Sequence, residues 1–293
     1  MIVGLSRTVG SRNLLANSSR ILSTPSIIYR GYANTNTPAT PPRKKRSATP
    51  QVDIAKIPIN ELTVLSNYYI PPPFTKCPIS SWPKLAIRRM GAIAGITYSV
   101  FKFRTELKKK IQFNLWKDIA IEQYVKTNKV FTAACNKRAV ERDLYLMNQL
   151  KNVAVKEVIN GLMERAETFP MNAKISWELV SIVGNPKIVA FIAIPDINEI
   201  TTYVQFVMKL TTNQKYEVTV DGKVTNDEKV VTDYLAFTLN PFTEELLLTG
   251  KLFESDHIRG VMDDTVLAGN ISLFKAFSKS VSDIYRSDPN LKK

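Results

Sequence analysis

The clearest structural signal in the sequence is the stretch PKIVAFIAIP, residues 186–195, followed by TYVQFVMKL, residues 202–210. Both runs are short and rich in β-branched and aromatic residues, which favours β-strands. Similar runs flank them: KISWELVSIV (174–183), QKYEVTV (214–220), TDYLAFTL (232–239) and ELLLTGKLF (245–253). Asn, Gly, Pro and Asp separate the runs, and Val220-Asp221-Gly222-Lys223 carries a hairpin signal. Closely spaced strands of this kind predict an antiparallel meander.

The chain before these strands has helical periodicity instead. Apolar residues recur every three or four positions from Trp82 onward, and a second long helical pattern runs from Ala139 to Phe169, where Pro170 ends it. A last amphipathic helix is predicted from Val266 to Tyr285. Helices first and strands second predict an α+β fold, with N-terminal helices packed on a twisted antiparallel β-sheet.

The first fifty residues have the composition of a targeting segment. They hold eight basic residues, and the first acidic residue of the chain is Asp53. An Arg-rich, Ser-rich and acid-poor start predicts a mitochondrial transit peptide. Arg30-Gly31-Tyr32-Ala33 resembles a processing-peptidase site, which places the cut between Tyr32 and Ala33. The alternative is a disordered basic tail on a cytosolic protein.

These patterns predict four parts: a transit peptide (1–32), a Pro-rich basic linker (33–80), a single α+β domain (81–286) and a short tail (287–293). Prolines such as the Pro71-Pro72-Pro73 run argue against regular structure in the linker. The most apolar helical stretch, Met90 to Phe101, is shorter than the roughly 20 residues of a membrane span. It is interpreted as a core or docking helix, with burial in the membrane interface as the alternative.

Charge divides the chain into unlike halves. Lys76 to Lys151 holds sixteen basic and five acidic residues, whereas Asn152 to the C-terminus holds fifteen basic and nineteen acidic residues. A basic front half suits a polyphosphate or an anionic lipid surface, and solvated lysine-rich helix faces are the alternative explanation.

Residue types needed for catalysis are scarce. The chain has one histidine, His257, and two cysteines, Cys77 and Cys135, which are expected to be buried or idle thiols rather than a disulfide. Asp263-Asp264 is interpreted as a solvated pair of acids, and no glycine-rich phosphate loop is present. The sequence therefore predicts a protein that is not an enzyme and binds no metal or cofactor.

Basic clusters at helix ends are the candidate binding residues. Such clusters reach phosphates of structured RNA without reading bases, or lipid headgroups. The candidates are Arg88, Arg89, Lys108, Lys109, Lys110, Lys126, Lys129, Lys137, Arg138 and Arg142.

Several stretches resemble the fungal inner-membrane mitoribosome receptors. They are VFKFR (100–104), NLWKDIAIEQYV (114–125), NAKISWELV (172–180) with PKIVAFIAIP, VVTDYLAF (230–237) and GKLFES (250–255), and the resemblance covers about residues 65 to 286. The same superfamily contains the membrane-proximal domain of the presequence-translocase motor scaffold and a metazoan large-subunit protein at the mitoribosomal tunnel exit.

The resemblance implies helices on a twisted antiparallel sheet and a peripheral protein on the matrix side of the mitochondrial inner membrane. It implies binding to the mitoribosome large subunit, through rRNA and tunnel-exit proteins, with the exit tunnel held toward the Oxa-type insertase for insertion of nascent membrane-protein chains. Anionic inner-membrane lipids are a further expected partner. Two alternatives stay open: a scaffold subunit of the protein-import motor, and a ligand-binding or enzymatic domain with an apolar pocket.

Overall fold

Five α-helices and five β-strands make up the residues that the computed structural model describes, which are 53–170, 173–262 and 270–289. All of them belong to the unit Pro50–Lys293. The helices are α1 (Trp82–Leu107), α2 (Phe113–Cys135), α3 (Ala139–Leu150), α4 (Lys156–Glu167) and α5 (Ile271–Ser282). The strands are β1 (Lys174–Ile182), β2 (Lys187–Pro195), β3 (Thr201–Val220), β4 (Lys223–Leu239) and β5 (Leu246–Leu252). The predicted α+β class, with helices preceding an antiparallel sheet, is confirmed.

The sheet is organised around the long strand β3. Strands β1 and β2 lie end to end along one edge of β3, β4 pairs along its other edge, and β5 follows β4, with every pair antiparallel. The prediction of two separate strands at 202–210 and 214–220 is wrong. The polar residues between them stay in the ladder because they find cross-strand partners: Thr211 lies 3.0 Å from the Thr232 hydroxyl, and Asn213 donates to Glu228 at 2.6 Å.

The hairpin between β3 and β4 forms where the sequence predicts it. Val220 pairs with Lys223, and the two residues between them have positive φ, 49° at Asp221 and 78° at Gly222. Two consecutive left-handed residues match the right-handed twist of the flanking strands. The Asp-Gly pair therefore fixes the register of the longest strand pairing in the molecule.

The main core lies between α2 and the sheet. Trp116 of α2 stacks on Phe191 of β2 and Phe206 of β3, with ring centroids 6.3 Å apart in both pairs, and Phe206 stacks on Phe237 of β4 at 5.6 Å. All four side chains are buried. This aromatic column joins three strands to one helix and fixes how α2 lies across the sheet.

The second half of the segment predicted as a linker is part of the folded body. Val64, Tyr68 and Ile70 are buried in a cluster with residues of β3, β4 and β5. Gln205 of β3 holds this segment to the sheet: its Nε2 donates to the Thr63 carbonyl at 2.8 Å, and its Oε1 accepts from the Tyr68 hydroxyl. Proline prevents regular structure but does not prevent an extended chain from burying apolar side chains. The folded part therefore begins before residue 81.

The pattern from Ala139 to Phe169 forms two helices, so the prediction of one long helix is wrong here. Between α3 and α4 the chain meets β5: Leu248 N–H donates to the Val153 carbonyl at 2.9 Å, and Val155 N–H donates to the Leu248 carbonyl at 3.0 Å. These bonds to a distant strand replace the helical bonds at that point. The predicted C-terminal helix is present as α5, capped by the Asn270 side chain, while residues 263–269 lie outside the described part.

Candidate functional site

Three consecutive lysines form the turn between α1 and α2. Lys108 ends α1 in the left-handed region, with φ of 52°, and its N–H donates to the Arg104 carbonyl at 3.1 Å. The Lys109 side chain is held against the fold, because its Nζ donates to the Pro241 carbonyl at 2.6 Å. Lys108 and Lys110 are exposed. We call Lys108 and Lys110 the turn cations.

A second group of cations lies toward the other end of α2. Lys126 and Lys129 are exposed and three residues apart, so they share one side of the helix, while Tyr124, Asn128 and Phe131 face the core. Arg138 is exposed just before α3. We call Lys126, Lys129 and Arg138 the α2-end cations. Lys137 is half-buried, with its ammonium 4.6 Å from the centre of the Tyr145 ring.

Three of the predicted candidates are structural. Arg142 is only 6 % exposed, and its guanidinium donates to the carbonyls of Lys137 (3.1 Å), Ala166 (3.0 Å) and Cys135 (3.1 Å). It ties the end of α2 to the end of α4 and is not available to an external phosphate.

Arg88 and Arg89 also face the protein. Arg88 donates to the carbonyl of His257, and Arg89 donates to the carbonyl of Pro72 at 2.5 Å while its guanidinium lies 4.1 Å from the centre of the Phe74 ring. These arginines hold the residues before α1 and the loop after β5 against the helix. We therefore leave them out of the binding surface.

The turn cations and the α2-end cations flank one helix. A 23-residue helix is about 34 Å long and Lys126 lies just past its midpoint, so at least half of the helix separates the two groups, which do not form one patch. The exposed side of α2 between them carries Asp118 and Glu122. Two separated cationic contacts suit a large anion with phosphates at more than one place, and fit a small ligand poorly.

A buried polar cluster lies where α2 crosses the sheet. The Tyr124 hydroxyl donates to Asp233 at 2.7 Å, the Lys251 ammonium lies 2.7 Å from the same carboxylate, and Gln214 donates to the Tyr124 hydroxyl at 2.8 Å. Burial, and then the Asp233 charge, raise the pKa of Tyr124 well above its usual value. The members satisfy one another, which fits a structural network inside the core.

An open cleft of about 370 Å³ lies between α1 and β2. It is lined mainly by apolar groups, including Tyr69, Gly95, Phe191 and Val261. The described residues bring no cluster of three or more His, Cys, Asp or Glu side chains together here or elsewhere. His257 lies 2.8 Å from Asp256 in the loop after β5. The cleft offers packing surface without an acid–base pair among the side chains that line it.

The outward side of α1 exposes apolar side chains, which the sequence alone does not show. Five large apolar side chains on it are exposed: Ile87, Met90, Ile93, Tyr98 and Phe101. Their spacing of three to five residues is the available sequence signal, but it equally suits a buried helix. Within the described ranges, no helix combines the length and apolar character required to cross a membrane.

Two comparisons with known proteins point to the same family. The model of the MBA1-like protein family matches residues 48–290. The chain is also 28 % identical over 248 residues to the inner membrane mitoribosome receptor MBA1, mitochondrial, of Saccharomyces cerevisiae, an alignment that covers 82 % of this chain and 81 % of that protein. The family match begins before the Pro-rich segment that packs on the sheet and ends after α5, so it spans the whole described fold. The chain belongs to the MBA1-like protein family.

Proposed function

We propose that this protein is a receptor that holds the mitoribosome on the matrix side of the inner mitochondrial membrane. The observation that carries the proposal is the similarity to a curated mitoribosome receptor over four-fifths of both chains. The exposed cations at both ends of α2 support it, because a ribosome presents phosphates over an area far larger than this domain.

In this proposal the turn cations and the α2-end cations contact rRNA of the large subunit. The contacts go to phosphates, because clusters of lysine and arginine grip structured RNA through its backbone without reading base edges. Lys108 supports this assignment. A non-glycine residue in the left-handed region costs about 1 kcal/mol, and here it presents an exposed lysine at the tip of a turn.

The remaining parts of the proposal follow from the resemblance. The receptor aligns the exit tunnel with an Oxa-type insertase, so that nascent membrane-protein chains insert as they are made, and it acts as a scaffold without catalysis. Import is directed by the basic N-terminal segment, with cleavage between Tyr32 and Ala33. Those residues lie outside the described part of the structure.

Charge reversal tests the ribosome contact. We expect the Lys126→Glu, Lys129→Glu double variant to lower the affinity for purified mitoribosomal large subunits at least about tenfold, because each lost phosphate contact also removes counterion release. Co-sedimentation over a series of salt concentrations measures both the affinity and the slope of its salt dependence, and that slope should become shallower.

The matched control reverses Lys187 of β2 and Lys275 of α5, which are also exposed but lie on other elements of the fold. This control should bind like the parent chain. Equal losses in both double variants would show a general effect of net charge, and no loss in the α2 variant would remove Lys126 and Lys129 from the ribosome contact.

A further inference from the structure

Helix α1 presents a charge-free apolar side to solvent. Leu85 and Phe103 on its inner side are fully buried, and the Phe103 ring lies 6.2 Å from the ring of Phe191 in β2. Its outer side carries Ile87, Met90, Ile93, Tyr98 and Phe101, which are 65, 63, 63, 68 and 66 % exposed. We call these five residues the outer row. Monomeric proteins rarely leave a contiguous apolar patch of more than a few hundred Å² in water without a partner.

The charged residues of α1 are arranged around the outer row and not within it. Arg88 and Arg89 face the protein and donate to backbone carbonyls, and Lys102 lies 3.6 Å from Glu106, the only acidic residue of the helix. Exposed cations remain at the two ends, at Lys84 and Arg104. The outer row itself, from Ile87 to Phe101, is about 21 Å long.

An exposed side that is apolar and free of charge is not common to the long helices of this protein, as α2 shows. Helix α2 is of similar length, yet its outward side carries Asp118, Glu122, Lys126 and Lys129. The apolar surface also continues beyond α1. The Val261 side chain lies beside Gly91, since a Cβ atom built at Gly91 would be 3.7 Å from it. The neighbouring Met262 is 89 % exposed.

We propose that the outer row of α1 lies in the headgroup region of an anionic lipid bilayer. A helix with one apolar side and cations at both ends, but without a stretch apolar enough to span, lies in the plane of the interface with its apolar side at the acyl boundary. Lys84 and Arg104 reach lipid phosphates from the ends of the row. The lack of any acidic residue on this side favours an anionic surface over a protein groove.

The assignment rests on the proposed function for the identity of the membrane, but its test needs no ribosome. The probe is vesicles of phosphatidylcholine and phosphatidylglycerol in a roughly 3:1 ratio, with pure phosphatidylcholine for comparison. In the full chain, the neutral triple variant Met90→Gln, Ile93→Gln, Phe101→Gln should lower partitioning onto the mixed vesicles at least about tenfold. The control Val180→Gln, Val224→Gln, Val230→Gln alters exposed apolar residues of the sheet and should partition like the parent chain.

A fluorescence measurement separates insertion from simple attraction by the basic N-terminal segment. In the Phe101→Trp variant, the added tryptophan emission should shift to the blue on binding and be quenched by lipids brominated in their acyl chains. Unquenched emission with vesicle binding intact would overturn the proposal, as would equal partitioning of the triple variant and the parent.

A ribosome-binding measurement tests the lipid assignment of α1 separately from the proposed receptor function. The triple Gln variant should co-sediment normally with large subunits, and circular dichroism should match the parent. A loss of co-sedimentation without any lipid quenching would overturn the lipid assignment and make the outer row a ribosome contact. Failure of ribosome binding in the parent chain, with quenching intact, would contradict the receptor proposal and leave the lipid assignment standing.

Discussion

Arg142 and Lys129 look alike in the sequence, since each is a cation near the helix ends of a basic half. The fold gives them opposite surroundings. Lys129 is exposed, whereas Arg142 is buried and donates to the three carbonyls at which α2, its following turn and α4 end. Satisfying helix C-terminal carbonyls is a structural role, because those groups have no partner within their own helix. The availability of a cation is therefore set by tertiary packing.

Replacing Arg142 should destabilise the fold rather than the ribosome contact. We expect Arg142→Ala to lower the free energy of unfolding by about 3 kcal/mol, because it leaves buried carbonyls without donors. Urea unfolding followed by circular dichroism measures this. Arg138→Ala, an exposed neighbour, should change stability by no more than about 0.5 kcal/mol. A stability change as small for Arg142→Ala would show that the three bonds contribute little.

From the sequence alone, the candidate site could be predicted only as a set of basic residues, without knowing which of them are exposed. Ten cations in the basic half were identifiable, and the structure leaves Lys108, Lys110, Lys126, Lys129 and Arg138 exposed. Nothing local distinguishes them from Arg88 or Arg89, because the partners of those arginines are carbonyls of the Pro-rich segment and of the loop after β5. Long-range contacts of this kind leave no trace in residue spacing.

Secondary-structure elements were more predictable than their boundaries. The β-branched and aromatic runs mark each strand, and Asp221-Gly222 marks the hairpin, because these signals are local. The division of 139–169 into α3 and α4 was not visible. It depends on two hydrogen bonds to Leu248, a residue about ninety positions later in the chain. The continuity of β3 through Thr211 and Asn213 likewise depends on partners in β4.

The contact between α5 and β5 is close enough to require glycine. A Cβ added at Gly250 would lie 2.7 Å from the backbone oxygen of Val281 and 3.1 Å from its carbonyl carbon. We expect Gly250→Ala to push α5 from the sheet and lower the free energy of unfolding by roughly 2 kcal/mol. The thermal unfolding midpoint measures the loss, and Gly260→Ala, with open space around its Cβ position, is the control. Equal midpoints would show that α5 can shift freely.

On the surface of the folded domain, the exposed cations and most of the clustered acids lie in different places. Exposed cations flank α2, while a groove beside α4 and α5 is lined by five acids and three cations, of which Arg165 and Lys279 pair with Asp283 and Glu164. Such a field orients the domain toward an anionic partner before contact. The outer row of α1 is a separate surface of different chemistry. A protein that binds a ribosome and a bilayer at once needs two surfaces of this kind.

Stability should fall at alkaline pH. Burial raises the pKa of Cys135 to about 11 and that of Tyr216 to about 12, and it raises the pKa values of Tyr124 and Tyr285 well above their usual range. The unfolded chain loses these protons first, from about pH 9 upward, so it binds fewer protons than the folded state and ΔG of unfolding decreases as pH rises. We expect the thermal midpoint to drop by more than about 5 °C between pH 8 and pH 11.

A midpoint that is constant over that range would contradict these pKa directions.

The expected loss of stability at alkaline pH also affects how membrane-extraction experiments are interpreted. Alkaline extraction of membranes near pH 11 acts on a destabilised protein, so release under those conditions reports unfolding as well as membrane topology. A wash at neutral pH and high salt tests how far the attachment depends on the cations, because it screens them without deprotonating the buried tyrosines.

Site-specific photo-cross-linking in intact mitochondria tests the central claim most directly. A photo-reactive amino acid replaces Lys129 in one variant and Lys223, at the tip of the β3–β4 hairpin, in another. We expect position 129 to form adducts with rRNA or proteins of the mitoribosomal large subunit and position 223 to form none. Adducts from position 223 with none from position 129, or none from either, would contradict the claim that the exposed cations of α2 hold the ribosome.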